Sequence, residues 1–248
     1  MTGSDAFDAL RDEQEALEAM LDSLDDAAWG SPSLCPGWSV ADVVLHLGQT
    51  EEAVVASADG ATQAIPAPEG VTGMDELVEH WVSAERGSSS SAILDRWKAA
   101  RRKALEALLS ADPEKPMAWA AAPLKPRTLA TTRLSEHWIH ANDIAQPLQL
   151  TYPDTDRLWH IAWLAHKTVP YAFLRAGREN PPSVRLELTS PGGERWDFGP
   201  EDADCIIGGP ASQFCRVAGR RLTADEADRL QTSGDGANGV LELVRTYA

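Results

Sequence analysis

Leu134, Trp138, Ala141 and Ala145 recur at intervals of three and four residues, a period that predicts a helix through Thr131–Ile144. Glu136 and His140, four apart in it, stand one turn above each other on a shared face. A carboxylate and an imidazole so placed are two ready ligands for a divalent metal, Zn²⁺ being the commonest guest. A third ligand must come from elsewhere, and His46, in the stretch Trp38–Leu47, is the candidate. The alternative is a solvated face. At about 100° per residue the pair lies nearly opposite the Leu134/Trp138 stripe, and a glutamate four residues before a basic group is an ordinary intrahelical pair. His137 and Asp143 add chemistry without deciding which side chains bind.

A net charge of −16 over 248 residues, with no concentrated basic stripe, argues against nucleic acid as a partner and disfavours anionic membrane surfaces. The start, Met1–Phe7, lacks the basic and apolar run of a signal peptide, and no apolar segment is long enough to span a bilayer. Cys35, Cys205 and Cys215 are odd in number and widely spread, so no disulfide framework is implied; the expectation is a cytoplasmic protein, monomer or homodimer.

Phe7, Leu10, Leu17, Leu21 and Leu24 mark a first amphipathic helix ending near Asp25-Asp26, followed by a loop through Trp29–Ser33. Ser39 is the expected N-cap of a second helix, with Asp42 completing a capping box and Val40, Val43, Val44 and Leu47 facing the core. His46 sits at the margin of that face, either as a ligand or as a histidine that merely packs. Cys35 reads as a small buried hydrophobe, with a reactive role before the helix as the alternative. Gly60–Gly73 is a surface loop by composition. A helical pattern from Asp75 is interrupted by Gly87–Ser91. A long helix from Ile93 to Leu109 then carries Arg96, Lys98, Arg101, Arg102 and Lys103 on what reads as a solvated face. Trp119–Pro126 is a loop leading into the helix of Glu136 and His140. Four helices with medium connections predict a bundle over residues 1–152, and metal sites in bundles are built from facing helices.

Residues 153–248 change character. An apolar helix spans Leu158 to Phe173; Val184–Leu188 alternates as a strand, Pro191-Gly192-Gly193 signals a hairpin, and Arg195–Phe198 returns. Cys205–Ile207 is a further strand, Ala211–Ala218 a helix, and Leu222–Leu230 and Val240–Tyr247 are read as closing helices. The prediction is an α+β chain, a helical bundle followed by a small α+β domain.

Three blocks resemble a known family. Leu34-Cys35-Pro36-Gly37-Trp38-Ser39-Val40 with His46, and Arg133, Glu136, Trp138, His140 and Asp143, are similar to two blocks of the mycothiol-dependent maleylpyruvate isomerase family. The region from His166–Phe173 onward, with Leu188–Gly199 and Gly209–Val217, resembles the C-terminal domain of one actinobacterial branch. The resemblance implies a DinB-like four-helix bundle and a sterol-carrier-like second domain. It also implies a metal held by His46, Glu136 and His140, and mycothiol as thiol cosubstrate. His137 matches no family ligand, and Asp143 is a partner that fixes the helix or orients a ligand histidine.

Three protein ligands leave a position open, the arrangement of a catalytic centre. The expected function is a metal-dependent enzyme, with Zn²⁺ the expected metal, that uses mycothiol or a similar thiol to add to or isomerise a small conjugated carboxylic acid. Arginines suit the substrate carboxylates, and Arg216, Arg220 and Arg221 are candidates if the second domain closes over the bundle; otherwise they are surface charges at a helix end. Trp38 is the tryptophan placed beside the site, as a cofactor-binding residue. Two alternatives stand: a carrier of an apolar small molecule with an incidental metal, and a metal-assisted hydrolase.

Overall fold

The computed structural model describes residues 5–61, 70–71, 73–120 and 122–246, and its first element, α1 (Ala6–Leu21), buries Ala9, Leu10, Leu17 and Leu21 along one side. The helix stops a turn earlier than the apolar spacing through Leu24 predicts. The Ser23 and Leu24 N–H groups reach back three residues, to Met20 and Leu21, which tightens the last turn and ends it. Asp25 then caps a short helix α2 (Asp26–Trp29) by accepting from the Ala28 N–H at 2.8 Å, and Trp29, expected in a loop, is buried.

Helix α3 (Val40–Ala58) begins at the expected capping box. Ser39 Oγ accepts from the Asp42 N–H, and Asp42 Oδ2 accepts from the Ser39 N–H at 2.9 Å. The next helices are α4 (Met74–Glu85) and α5 (Ser90–Ser110). Ser89, inside the polar run read as an interruption, caps α5 by accepting from Ala92. The basic side of α5 is only partly a solvated face. Lys98 pairs with Asp22 at 2.6 Å, Arg101 is buried against Glu18, and Arg96 is clamped by Glu52 and Glu85. The Gly60–Gly73 loop lies mostly outside the described residues. Met117 and Leu124 pair as an isolated antiparallel bridge, and Pro126 opens α6 (Pro126–Ala145), where a missing N–H costs nothing.

Residues 7–152 form one compact unit. Its core draws Leu17 and Leu21 from α1, Val43, Val44 and Leu47 from α3, Val82 from α4, Ile93 and Trp97 from α5, and Ala141 and Ile144 from α6. The four long helices thus share one apolar interior, as a bundle requires. Helix α6 is buried around nearly its whole circumference, including His137, His140, Asn142 and Asp143, so the face carrying Glu136 and His140 is not the solvated surface that amphipathic reasoning allows.

The second unit runs from Pro153 onward. After α7 (Leu158–Arg175) come β1 (Val184–Thr189), β2 (Arg195–Phe198) and β3 (Cys205–Pro210), then α8 (Ala211–Ala218), β4 (Gln231–Gly234) and α9 (Ala237–Leu243). The sheet order is β2-β1-β3-β4, with β1 antiparallel to β2 and parallel to β3, and β4 antiparallel to β3. Leu186 pairs with both Phe198 and Ile207, so one face of the sheet is apolar and buried, while Arg185, Glu187, Arg195 and Asp197 ladder the other. With α7, α8 and α9 this is an α+β architecture. Leu222–Leu230, read as a helix, is instead a series of turns. Thr223 and Glu226 make a reciprocal cap, but the N–H groups of Ala227 and Leu230 reach back only three residues and the chain joins the sheet at Gln231. The last helix lies at Ala237–Leu243, earlier than Val240–Tyr247, and Tyr247 is outside the described residues. Among the described residues no helix is long and apolar enough to cross a membrane.

Candidate metal centre

The Ser39 capping box fixes where α3 starts and therefore sets His46 two turns inside it, buried and facing α6. From α6, the four-residue spacing stacks Glu136 and His140 toward it. His46 Nε2 lies 3.7 Å and His140 Nε2 3.5 Å from Glu136 Oε2, and all three donor atoms lie within 4.8 Å of one another. The two imidazoles meet edge to face with centroids 5.1 Å apart. Tetrahedral Zn²⁺ with ligand bonds of about 2.1 Å separates neighbouring donors by about 3.4 Å, so this nitrogen–oxygen–nitrogen set fits a divalent cation in both chemistry and spacing.

The surroundings set the protonation of each donor. Burial brings the His46 pKa down to about 4, overriding the pull of Glu136, so its imidazole is neutral at pH 7. Burial alone would raise Glu136 and lower His140, but contacts outweigh it in both. The two histidines hold Glu136 well below the usual carboxylate range, and Asp143, Cys35 and Glu136 hold His140 well above the usual histidine value.

Asp143, fully buried one turn further along α6, places Oδ2 2.9 Å from His140 Nδ1. That contact assigns the proton to Nδ1 and leaves Nε2 turned toward Glu136, the usual way a carboxylate orients a histidine ligand. The loop before α3 closes the same corner, with Cys35 Sγ 3.2 Å from Asp143 Oδ2. Trp38 borders the site from the other side. Its ring centroid is 5.4 Å from that of His46, and its indole N–H donates to Glu79 at 2.6 Å. Glu79 in turn pairs with Arg86, which also holds Asp42 of the capping box.

His137, which matches no family ligand, is not a surface residue and is not among the donors that converge here. It is fully buried on another side of α6, where Nδ1 donates to the Arg133 carbonyl at 2.7 Å and Nε2 accepts from the Trp97 indole at 3.2 Å. Beside it Arg133 donates to Glu51 at 2.9 Å and to Thr50 Oγ1 at 2.7 Å, a buried ion pair from which sequence reasoning had picked out only the arginine. Glu51 gave no signal of its own, standing among the polar residues Gln49, Thr50 and Glu52 of α3.

Arg216 and Arg220 lie in the second unit. Arg216 forks onto Asp154 at 2.9 and 3.1 Å. Arg220, in the left-handed region at φ 58°, donates to the carbonyls of Glu242 and Leu243 at the end of α9. Arg221 donates to the Gly219 carbonyl.

Residues 10–145 match the family described as the mycothiol maleylpyruvate isomerase N-terminal domain. Two curated relatives, the uncharacterized proteins MT0041 and Rv0036c from two strains of Mycobacterium tuberculosis, are each 30% identical over 242 residues, spanning 96% of this chain and 93% of theirs. Two crystal structures of the mycothiol-dependent maleylpyruvate isomerase, one of them a mutant, superpose with a TM-score of 0.60 at 18% identity, over 92% of this chain and 91% of theirs. At that identity the likeness shows the fold.

Proposed function

The chain belongs to the mycothiol maleylpyruvate isomerase family, and from that premise we propose a metal-dependent enzyme that uses mycothiol or a similar low-molecular-weight thiol to add to or isomerise a small electrophilic carboxylic acid. The observation that carries this reading is the convergence of His46 Nε2, Glu136 Oε2 and His140 Nε2. These three residues would hold a divalent cation, Zn²⁺ by donor type, which when bound supplies the charge that deprotonates a coordinated thiol at neutral pH. The remaining work falls to the protein. His46 presents an unprotonated nitrogen because burial disfavours its cation. Asp143 fixes the His140 tautomer, so that ring needs no reorganisation on binding. Trp38, held by Glu79, offers a rigid apolar wall for the thiol or the substrate chain. Arg216 and Arg220 stay in this reading as the cations for substrate carboxylates.

Calorimetric titration of metal-loaded protein with mycothiol tests the reading. Saturable binding that is lost on removing the metal is expected, and no binding of any low-molecular-weight thiol would sink it. Turnover assays extend the test: Arg216→Gln and Arg220→Gln should raise KM without lowering metal content. Thiol-independent ester or amide turnover would point instead to a hydrolase.

A further inference from the structure

We propose that Cys35 is a positioning residue for this centre: its thiol donates to Asp143 Oδ2 and so holds the carboxylate that orients His140. The inference rests on the metal reading above. Asp143 is fully buried, and a buried carboxylate needs compensating donors. Oδ2 takes one from His140 Nδ1 at 2.9 Å and one from Cys35 Sγ at 3.2 Å. The sulfur lies 3.7 Å from Nδ1 itself, so thiol, carboxylate and imidazole close a triangle at the Nδ1 edge of the ring. The thiol has one hydrogen and the carboxylate is the stronger acceptor, so the hydrogen goes to Asp143.

The backbone leaves Cys35 little freedom to do anything else. Its N–H donates to Ser33 Oγ at 3.1 Å and its carbonyl accepts from the Trp38 N–H at 3.0 Å. The Leu34 N–H donates to the Asp143 carbonyl at 3.0 Å, so the loop is fastened to α6 at Asp143 through both main chain and side chain. Gly37, at φ 79°, turns the chain back toward Ser39, the cap of the helix that carries His46. One short loop therefore sets the orientation of His140 and the start of α3 together. Cys35, His140 and Asp143 also bring donor atoms within 4.8 Å of one another, but at the Nδ1 edge of the ring, so Cys35 does not join the set that Glu136 and His46 form at Nε2.

Cys35 also packs against the bundle core, so the test must separate donor from bulk. Zn²⁺ affinity by chelator competition is compared for wild type, Cys35→Ser, Cys35→Val and Cys35→Ala, with circular dichroism confirming the fold of each. Serine keeps the donor; valine keeps apolar bulk without it; alanine repeats the donor loss with no added volume. Valine and alanine should weaken binding roughly 10- to 100-fold, the range for losing a supporting partner of a metal ligand, while serine stays within about threefold of wild type because its hydroxyl donates to the same oxygen. The Co²⁺-loaded wild type should show no sulfur-to-cobalt charge-transfer band. Wild-type affinity in both donor-free variants, or a serine variant weaker than valine, would overturn the inference while leaving the metal site standing. A charge-transfer band abolished in Cys35→Ser would overturn it in favour of ligation. Absence of Zn²⁺ binding by wild type would bring down the metal reading and this inference with it.

Discussion

Helices α3 and α6 meet in two polar clusters made of nearly the same residue types. One joins Glu51 with Arg133 and His137; the other joins His46 with Glu136, His140 and Asp143. The first contains its own cation. Arg133 satisfies one Glu51 oxygen, His137 has a partner at each ring nitrogen, and burial and the guanidinium together keep its pKa well below the ordinary histidine value. In the second, the ion pairs of Glu136 are with imidazoles, and the His140 pKa is driven the opposite way. Two histidines three residues apart on one helix thus have opposite characters. The difference lies in the partners: Asp143 hydrogen-bonds His140 and Glu136 faces its other nitrogen, whereas His137 is held by a backbone carbonyl and an indole beside the Arg133 guanidinium.

Removing the resident cation should have the largest effect. Arg133→Ala leaves Glu51, whose pKa burial already raises, in the core without its guanidinium partner, and is expected to destabilise the chain by about 3–5 kcal/mol in denaturant unfolding. Replacing the pair together, as Arg133→Met with Glu51→Met, should recover most of that loss. A double variant as unstable as the single one would show that the cluster does more than neutralise itself. A smaller effect, confined to the other cluster, is expected from Asp143→Asn. It should weaken metal binding about 10- to 100-fold in chelator competition with little change in melting temperature. A large loss of stability with unchanged affinity would mean that Asp143 serves the helix and not His140.

Much of this was readable from local chemistry. The Ser39–Asp42 box placed α3, and the Glu136–His140 spacing together with His46 named the three residues that the fold brings together. Features set by tertiary contact were not readable. A 3.6-residue period identifies α6 as a helix but cannot tell that its second face meets other helices instead of water. Glu51 carries no local mark of its burial, because its partner lies 82 residues away. Strand β4, Gln-Thr-Ser-Gly, is exposed along its length, so no alternation marks it, and its pairing with β3 comes from the sheet edge and not from its own residues. The Thr223–Glu226 cap imitates a helix start, and only the chain's return to the sheet decides against one.

The central claim is that His46, Glu136 and His140 hold a divalent metal and His137 does not. Elemental analysis of the purified protein, beside His46→Ala, Glu136→Ala, His140→Ala and His137→Ala, tests it most directly. The account predicts near-stoichiometric metal in wild type and His137→Ala, and its loss from each of the other three while they remain folded. Folded variants carrying as much metal as wild type, or a wild type that binds none when supplied with Zn²⁺, would contradict it.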